Sequence, residues 1–264
     1  MITVCKAFCG QTTLRKAGPA MEEQIIYGRN AVTEALRAGK TIDTVLVQKG
    51  ATGLGKLITL AKENGAVVKD ASADKLDELS CGGKHGGVAA IAAAADYATI
   101  EDILAVSESK GTPPFIIIAD EIQDPHNLGA IIRTAEAAGA DGVVIPKRRS
   151  AGLTSTVFKT SAGAASWVKV ARVSNLVETI KMLKTKGIWV YGAEADGEPF
   201  RSADLSGPAA LVIGSEGSGL GRLVRESCDM ILSIDMYGKI NSLNASVSAG
   251  ILMYEFVRNR HPAK

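Results

Sequence analysis

Long apolar runs are missing from this chain of 264 residues. No stretch approaches the ~18 residues that a membrane-spanning helix needs, so no span is expected. The first twenty residues carry Lys6, Arg15 and Lys16 but no apolar core, which argues against a secretory signal. Cysteine is scarce, with Cys5, Cys9, Cys81 and Cys228 alone. They form no CxxC pair and fit no zinc spacing, so they read as ordinary reduced thiols. An excess of one charge is missing too: 30 Lys and Arg against 28 Asp and Glu leave a net charge of +2. Bulk charge therefore gives no argument for nucleic acid, and any basic surface has to be local. Lys147, Arg148 and Arg149 form the clearest such cluster. Internal repeats and low-complexity tracts are absent as well. A soluble, cytoplasmic protein is the expectation.

What is present is a globular balance of 46% hydrophobic and 22% charged residues. That supports a sizeable core and leaves room for one large or two modest domains. Residues 1–20 lack periodicity and end in Gly18-Pro19. They read either as a flexible extension or as upstream translation ahead of a start at Met21. From Tyr27 the pattern becomes regular. Asn30 is placed to cap a helix over 30–38, and strands are expected at 44–48, 66–69 and 88–94, with helices at 54–63 and 73–79. Strands alternating with helices predict a compact α/β domain over 21–96. Residues 97–113 are mixed in charge and close on Gly111-Thr112-Pro113-Pro114, which predicts a linker. A second α/β series fills 114–264. The apolar run 115–119 reads as a strand buried on both faces, and further strands are expected at 143–145, 168–171, 188–191, 211–213 and 231–234. Helices fit at 128–138, 174–186, 220–227 and 242–259.

Three segments sit where expected strands end, which is where open α/β sheets bind ligands. The first runs from Asp120 through Asn127 to Arg133 on the following helix. Taken alone, Asn127 reads as a helix cap and Arg133 as a solvated charge. The second, Gly214-Ser215-Glu216-Gly217-Ser218-Gly219, has glycines that let a ligand approach the backbone. It lacks the lysine of a phosphate-binding loop and the glycine spacing of a dinucleotide fingerprint, which leaves a nucleotide hydrolase without support. A carboxylate among glycines needs a partner, so Glu216 is expected to pair. The third holds Ile234, Asp235, Met236, Ser242, Leu243 and Asn244, with Ser242 as a candidate cap.

In this order the three segments resemble the motifs of the SpoU (TrmH-type) branch of the SPOUT RNA methyltransferases, over about residues 115–260. The front segment is similar to the ribosomal-protein-like RNA-binding domain of the ribosomal RNA guanosine 2′-O-methyltransferases, at Tyr27-Gly28-Arg29-Asn30-Ala31-Val32 and Lys84-His85-Gly86-Gly87-Val88-Ala89. Asp235 stands where the family usually has proline, and Lys84 and Gly86 depart from the usual wording of the front-domain turn.

The resemblance implies an α/β fold with an N-terminal RNA substrate-binding domain and a SPOUT domain that carries a C-terminal trefoil knot. It implies S-adenosylmethionine as cofactor, a homodimer that completes the active site, RNA as partner and no metal. Carried over by motif, Gly214, Ile234, Leu243 and Met236 would contact the cofactor, with Gly192-Ala193-Glu194 nearby. Asn127, Arg133, Glu216, Ser242 and Asn244 match positions assigned to catalysis and its support. Arg133 is the family's candidate for activating the ribose hydroxyl, reaching a cofactor on the partner subunit. Arginine holds its proton above a pKa of ~12, so an anchoring role on phosphate or developing alkoxide stands beside a base role. Arg29, Asn30, Lys147, Arg148 and Arg149 are the expected RNA contacts. The activity implied is methylation of a ribose 2′-hydroxyl, with a guanosine of 23S rRNA favoured. Transfer RNA methylation and a non-catalytic RNA binder of the same fold are the alternatives.

Overall fold

The computed structural model describes residues 24–261, so the extension 1–20 with Cys5 and Cys9 lies outside the described residues. The described residues up to Asp96, together with Leu153–Ser155, form one compact unit, and Tyr97–Gly152 with the residues from Thr156 onward form another.

The first unit runs β1 (Ile25–Tyr27), α1 (Arg29–Arg37), β2 (Ile42–Gln48), α2 (Gly55–Glu63), β3 (Val67–Ala71), α3 (Ala73–Ser80) and β4 (Val88–Ala92). Its sheet has the order β1-β4-β2-β3. β4 pairs antiparallel with both β1 and β2, and β3 joins β2 in parallel. Val32 and Leu36 of α1 and Leu57 and Ala61 of α2 share one buried cluster with Val45, Val47, Val88 and Ala90 of the sheet. That is the outcome expected of apolar residues spaced at helical and strand periods. One local expectation fails. Asn30 does not cap α1, because the helix already begins at Arg29, and Gly28 holds the cap position at φ 93° with no side-chain bond.

The second unit begins with a correction. The expected linker contains helix α4 (Ile100–Lys110), which buries Ile100, Ile103 and Ser107. Thr99 and Asp102 form a reciprocal capping box at its start, and Gly111 ends it at φ 64°. There follow β5 (Phe115–Ala119), α5 (Pro125–Ala137), β6 (Gly142–Pro146), α6 (Ser155–Thr160), β7 (Lys169–Val173), α7 (Leu176–Thr185), β8 (Trp189–Pro199), β9 (Ala209–Ile213), α8 (Arg222–Ser227), β10 (Met230–Ser233) and α9 (Ala245–Arg260). The sheet is parallel throughout, in the order β10-β8-β9-β5-β6-β7. Every residue of β5 and of β9 is buried, as the apolar run of β5 requires. Ile116, Ile118, Val144, Val190, Ala210 and Val212 share one core cluster with α7. On α9, Phe256 stacks on Phe115 with ring centroids 5.0 Å apart, and Tyr191 meets it edge-on at 5.4 Å.

Two features of this sheet shape the site. The chain winds outward through β6 and β7, then crosses to the other side of β5, so the winding reverses between β5 and β9. Crevices form at such reversals, outside the carboxyl ends of the strands. The second feature is a break in β8. Ile231 of β10 pairs with Gly192, but the next residue, Leu232, pairs with Glu198. The residues between, 193–197, leave the β10 side of the ladder. The strand expected to end at 191 thus continues to Pro199, with a bulge in its middle. A Cβ on Gly197 would come within 2.6 Å of the Ile231 carbonyl oxygen, so only glycine closes the bulge.

Candidate active site

A cavity of about 770 Å³ opens at the carboxyl ends of β8, β9 and β10. Ala193, Glu194, Ala195 and Asp196 of the bulge form one wall, and the loop 214–219 forms another. The segment before α9 supplies Asn241, Ser242, Leu243 and Asn244, and Ile213, Leu232 and Leu252 give the cavity an apolar floor.

The glycine-rich loop has its shape for steric reasons. Ser215 and Gly219 exchange two backbone hydrogen bonds, each 3.0 Å. That folds the loop back until a Cβ on Gly214 would collide with the backbone of Gly219 and Leu220. Gly217 and Gly219 hold positive φ, 90° and 64°. Beneath the loop, the backbone N–H of Gly221 donates to the buried carboxylate of Asp120 at 2.7 Å. Burial pushes the Asp120 carboxyl above its ordinary range, partly offset by this bond.

Asn127, Glu216 and Asn244 meet at the mouth of the cavity. The Asn127 side-chain amide donates to Glu216 Oε1 at 3.0 Å, and Asn244 Nδ2 donates to Asn127 Oδ1 at 3.0 Å and also to Glu216 Oε1. The pairing expected of Glu216 is thereby found, and its partners are amides. Helix geometry explains why both asparagines are available. Asp124 caps α5 by accepting from His126 N at 3.0 Å, with Pro125 in the first turn. Asn127 is therefore not the cap, and its amide is free to reach across. On α9 the cap is Asn244, not Ser242: Asn244 Oδ1 accepts from Ser246 N at 2.9 Å and from Val247 N at 3.3 Å. One end of the Asn244 amide starts the helix while the other binds Glu216.

Of the expected cofactor residues, Gly214, Ile234, Leu243, Met236 and Ala193 line the cavity. Gly192 does not. It is packed behind the wall, where a Cβ would strike Leu220 and Ile231 and come within 3.1 Å of Cys228 Sγ. The Cys228 thiol is itself pushed up to about 12 by burial, which makes it an inert packing group. Arg133 does not line the cavity either; it is exposed on α5. Lys147, Arg148 and Arg149 follow the carboxyl end of β6, with Arg149 at φ 57° and bound to Glu121 at 3.0 Å. In the first unit Arg29 is exposed, and its Nε donates to the Gly86 carbonyl at 2.8 Å. This bond ties the start of α1 to the glycine-rich turn before β4.

Sequence reasoning missed Arg225. Its guanidinium, on α8, binds Glu194 and reaches both carboxylate oxygens of Asp196 at 2.9 Å. Glu194 in turn accepts from Leu220 N at 2.9 Å. One arginine outside the cavity thus joins the bulge to the loop of β9. A single helical arginine gives no sequence signal for such a task.

A parallel α/β domain with an apolar-floored, carboxylate-lined cavity outside the carboxyl ends of its strands has the arrangement by which such domains hold nucleotides and cofactors. The comparisons with known proteins are more specific. Residues 114–254 match the SpoU rRNA Methylase family, and residues 25–98 match the RNA 2′-O ribose methyltransferase substrate-binding family. The chain belongs to the SpoU methylase family, and so to the S-adenosylmethionine-dependent RNA methyltransferases. It is 46% identical over 246 residues to YacO of Bacillus subtilis (strain 168), which carries the name of TrmH family tRNA/rRNA methyltransferase, covering 92% of this chain and 98% of that one. The SpoU methyltransferase AviRb from Streptomyces viridochromogenes, solved in complex with the cofactor AdoMet, shares the fold at a TM-score of 0.60 and 24% identity, covering 92% of each chain. The A. aeolicus TrmH/SpoU tRNA modifying enzyme matches at a TM-score of 0.51 and 30% identity, over 56% of this chain and 76% of that one. Among the described residues, no helix is long and apolar enough to cross a membrane.

Proposed function

We propose that this protein acts in the cytoplasm and transfers the methyl group of S-adenosylmethionine to a ribose 2′-hydroxyl of RNA, on a guanosine of 23S rRNA. The observation that carries the reading is the junction of Asn127, Glu216 and Asn244. Residues 89 and 117 positions apart are joined directly at the mouth of one cavity. The cavity fits the cofactor: apolar side chains suit an adenosine, and the lining has, among the described residues, three carboxylates but neither lysine nor arginine, which suits a cationic ligand. Bound there, S-adenosylmethionine supplies a methyl group on sulfur that is already a good leaving group. The chain's own residues then have to align the hydroxyl and handle its proton, and alignment alone is a large part of such catalysis.

Gly214, Ile234, Leu243, Met236 and Ala193 hold the cofactor in this proposal. Ser242 and the asparagine pair shape the mouth. Arg133 activates or anchors the ribose, and it does so in the cavity of a second copy, because its side chain does not line its own. A homodimer is supported by the surface beside it. Thr134 lies against Gly250 of α9, whose neighbours Val247, Ile251 and Tyr254 leave apolar side chains 49%, 38% and 52% exposed. Their spacing puts them on one helical face. The trefoil knot belongs to the same proposal. So does an RNA-reading front domain over 21–96 ahead of a SPOUT domain over 114–264, with Arg29, Asn30, Lys147, Arg148 and Arg149 on phosphate. Ribosomal RNA is favoured over transfer RNA because the A. aeolicus tRNA modifying enzyme matches only 56% of this chain, whereas the substrate-binding family model covers its front residues 25–98.

The test is methyl transfer from radiolabelled S-adenosylmethionine to separate large-subunit, small-subunit and transfer RNA, with the modified atom mapped. Label on a 2′-oxygen of large-subunit RNA supports the reading. Label on transfer RNA alone overturns the substrate, and no label together with no cofactor binding leaves a non-catalytic binder. In the same assay Arg133→Ala should lose at least about 100-fold in rate while its melting temperature stays unchanged, as befits an exposed side chain. An undiminished rate would remove Arg133 from the site.

A further inference from the structure

The carboxylates of the cavity are not equivalent, and the difference bears on how the site treats its product. Glu194 and Asp196 both face the guanidinium of Arg225. Glu216 has no such partner: its hydrogen bonds among the described residues come from the neutral amides of Asn127 and Asn244. Among the described residues, no lysine or arginine lines the cavity. Within one protomer, the negative charge left without a cation is therefore concentrated on one side chain at the mouth.

Methyl transfer changes the charge of the cofactor by one. The donor is a sulfonium cation, and the product, S-adenosylhomocysteine, is a neutral thioether of nearly the same shape. Shape and apolar contacts alone would hold the two about equally. We propose that Glu216 is the residue by which the cavity distinguishes the charged donor from the neutral product, favouring loading and release of the spent cofactor. The inference rests on the cavity being the S-adenosylmethionine site. It assigns Glu216 a charge function distinct from shaping the loop. The two amide bonds need only an acceptor oxygen at Oε1, which glutamine also provides; the charge is dispensable for the junction's geometry.

That difference makes Glu216→Gln the informative variant. Binding of S-adenosylmethionine, S-adenosylhomocysteine and sinefungin, which carries an ammonium near the sulfonium position, is measured by calorimetry on the full chain. The expected result is a loss of at least about fivefold for the two cations, the effect of one charge pair near solvent, with S-adenosylhomocysteine changed by less than about twofold. An equal loss for all three ligands would make Glu216 a shaping residue only and overturn the proposal, as would no change for any. Should the variant fold poorly, the wild-type protein carries the test. Raising salt from about 0.05 to 0.5 M shortens the screening length severalfold and should weaken the two cations more than the thioether. An identical salt response for all three ligands would again overturn it. Failure of the wild type to bind any of them would overturn instead the assignment of the cavity to this cofactor.

Discussion

Asp120 shows how much a single carboxylate can be asked to do. It sits at the end of a fully buried strand and receives the N–H of Gly221, which starts α8. Its pKa is raised by burial above the ordinary 3.8. A raised value means that the folded state prefers the protonated form. The stability this group contributes is full below about pH 4 and is lost as the pH rises through the folded value. Asp120→Asn keeps an acceptor for Gly221 and cannot ionise. The melting temperature of the variant relative to the wild type should therefore rise between about pH 4 and pH 7; a difference that stays flat would show that burial costs this carboxylate nothing. The same scale holds what the sequence could not supply. Glu216 among glycines announced a need for a partner, but neither spacing nor composition says that the partners are Asn127 and Asn244. Family resemblance placed these residues on one list of roles; their mutual bonding is a tertiary fact. Arg225 was invisible altogether, since it works from outside the cavity.

At the scale of elements, the legible parts were those whose burial is written in the local pattern. The run Phe115–Ala119 reads as a strand because both its faces are covered. Helix α4 is illegible as a helix because its charges are mixed and the segment closes on Gly111-Thr112-Pro113-Pro114, which reads as a linker. The signal that should have outweighed composition was Thr99 followed three residues later by Asp102, a start sequence whose two side chains satisfy two backbone donors. The structure starts α5 three residues before the expected 128, because its capping residues precede the apolar pattern, and starts α9 three residues after the expected 242, because Asn244 and not Ser242 is the cap. Packing between elements makes a firmer prediction. A Cβ on Gly129 of α5 would overlap the Thr160 side chain of α6 and come within 3.1 Å of Ser161 N. Gly129→Ala should cost roughly 1–3 kcal/mol in chemical denaturation, and Thr160→Ala in the same chain should restore part of that loss. A neutral Gly129→Ala would mean that α5 and α6 can separate freely.

At the scale of the molecule, the α/β class and the two-part organisation were legible because strands and helices alternate twice along the chain. Strand order was not, since no local pattern records that β9 inserts between β8 and β5. The proposed dimer can be tested at this scale. Ile251→Glu places a charge in the middle of the exposed face of α9, away from the cavity lining. Sedimentation should show a dimer for the wild type and a shift toward monomer for the variant. Methyl transfer should fall with it, if Arg133 serves a neighbouring cavity. A monomeric wild type with full activity would refute the shared site.

The bulge in β8 has one more consequence. Residues 193–197 take no part in the β10 ladder, whose pairs close on either side of them, and the first four of them form a cavity wall. The chain can gain or lose length there without shifting the register of a single neighbouring strand. Elsewhere in the sheet an inserted residue would turn buried side chains outward. The dimensions of this pocket are thus uncoupled from the register of the sheet that holds it, and descent could resize one without re-pairing the other, provided the Arg225 contacts of the bulge are kept.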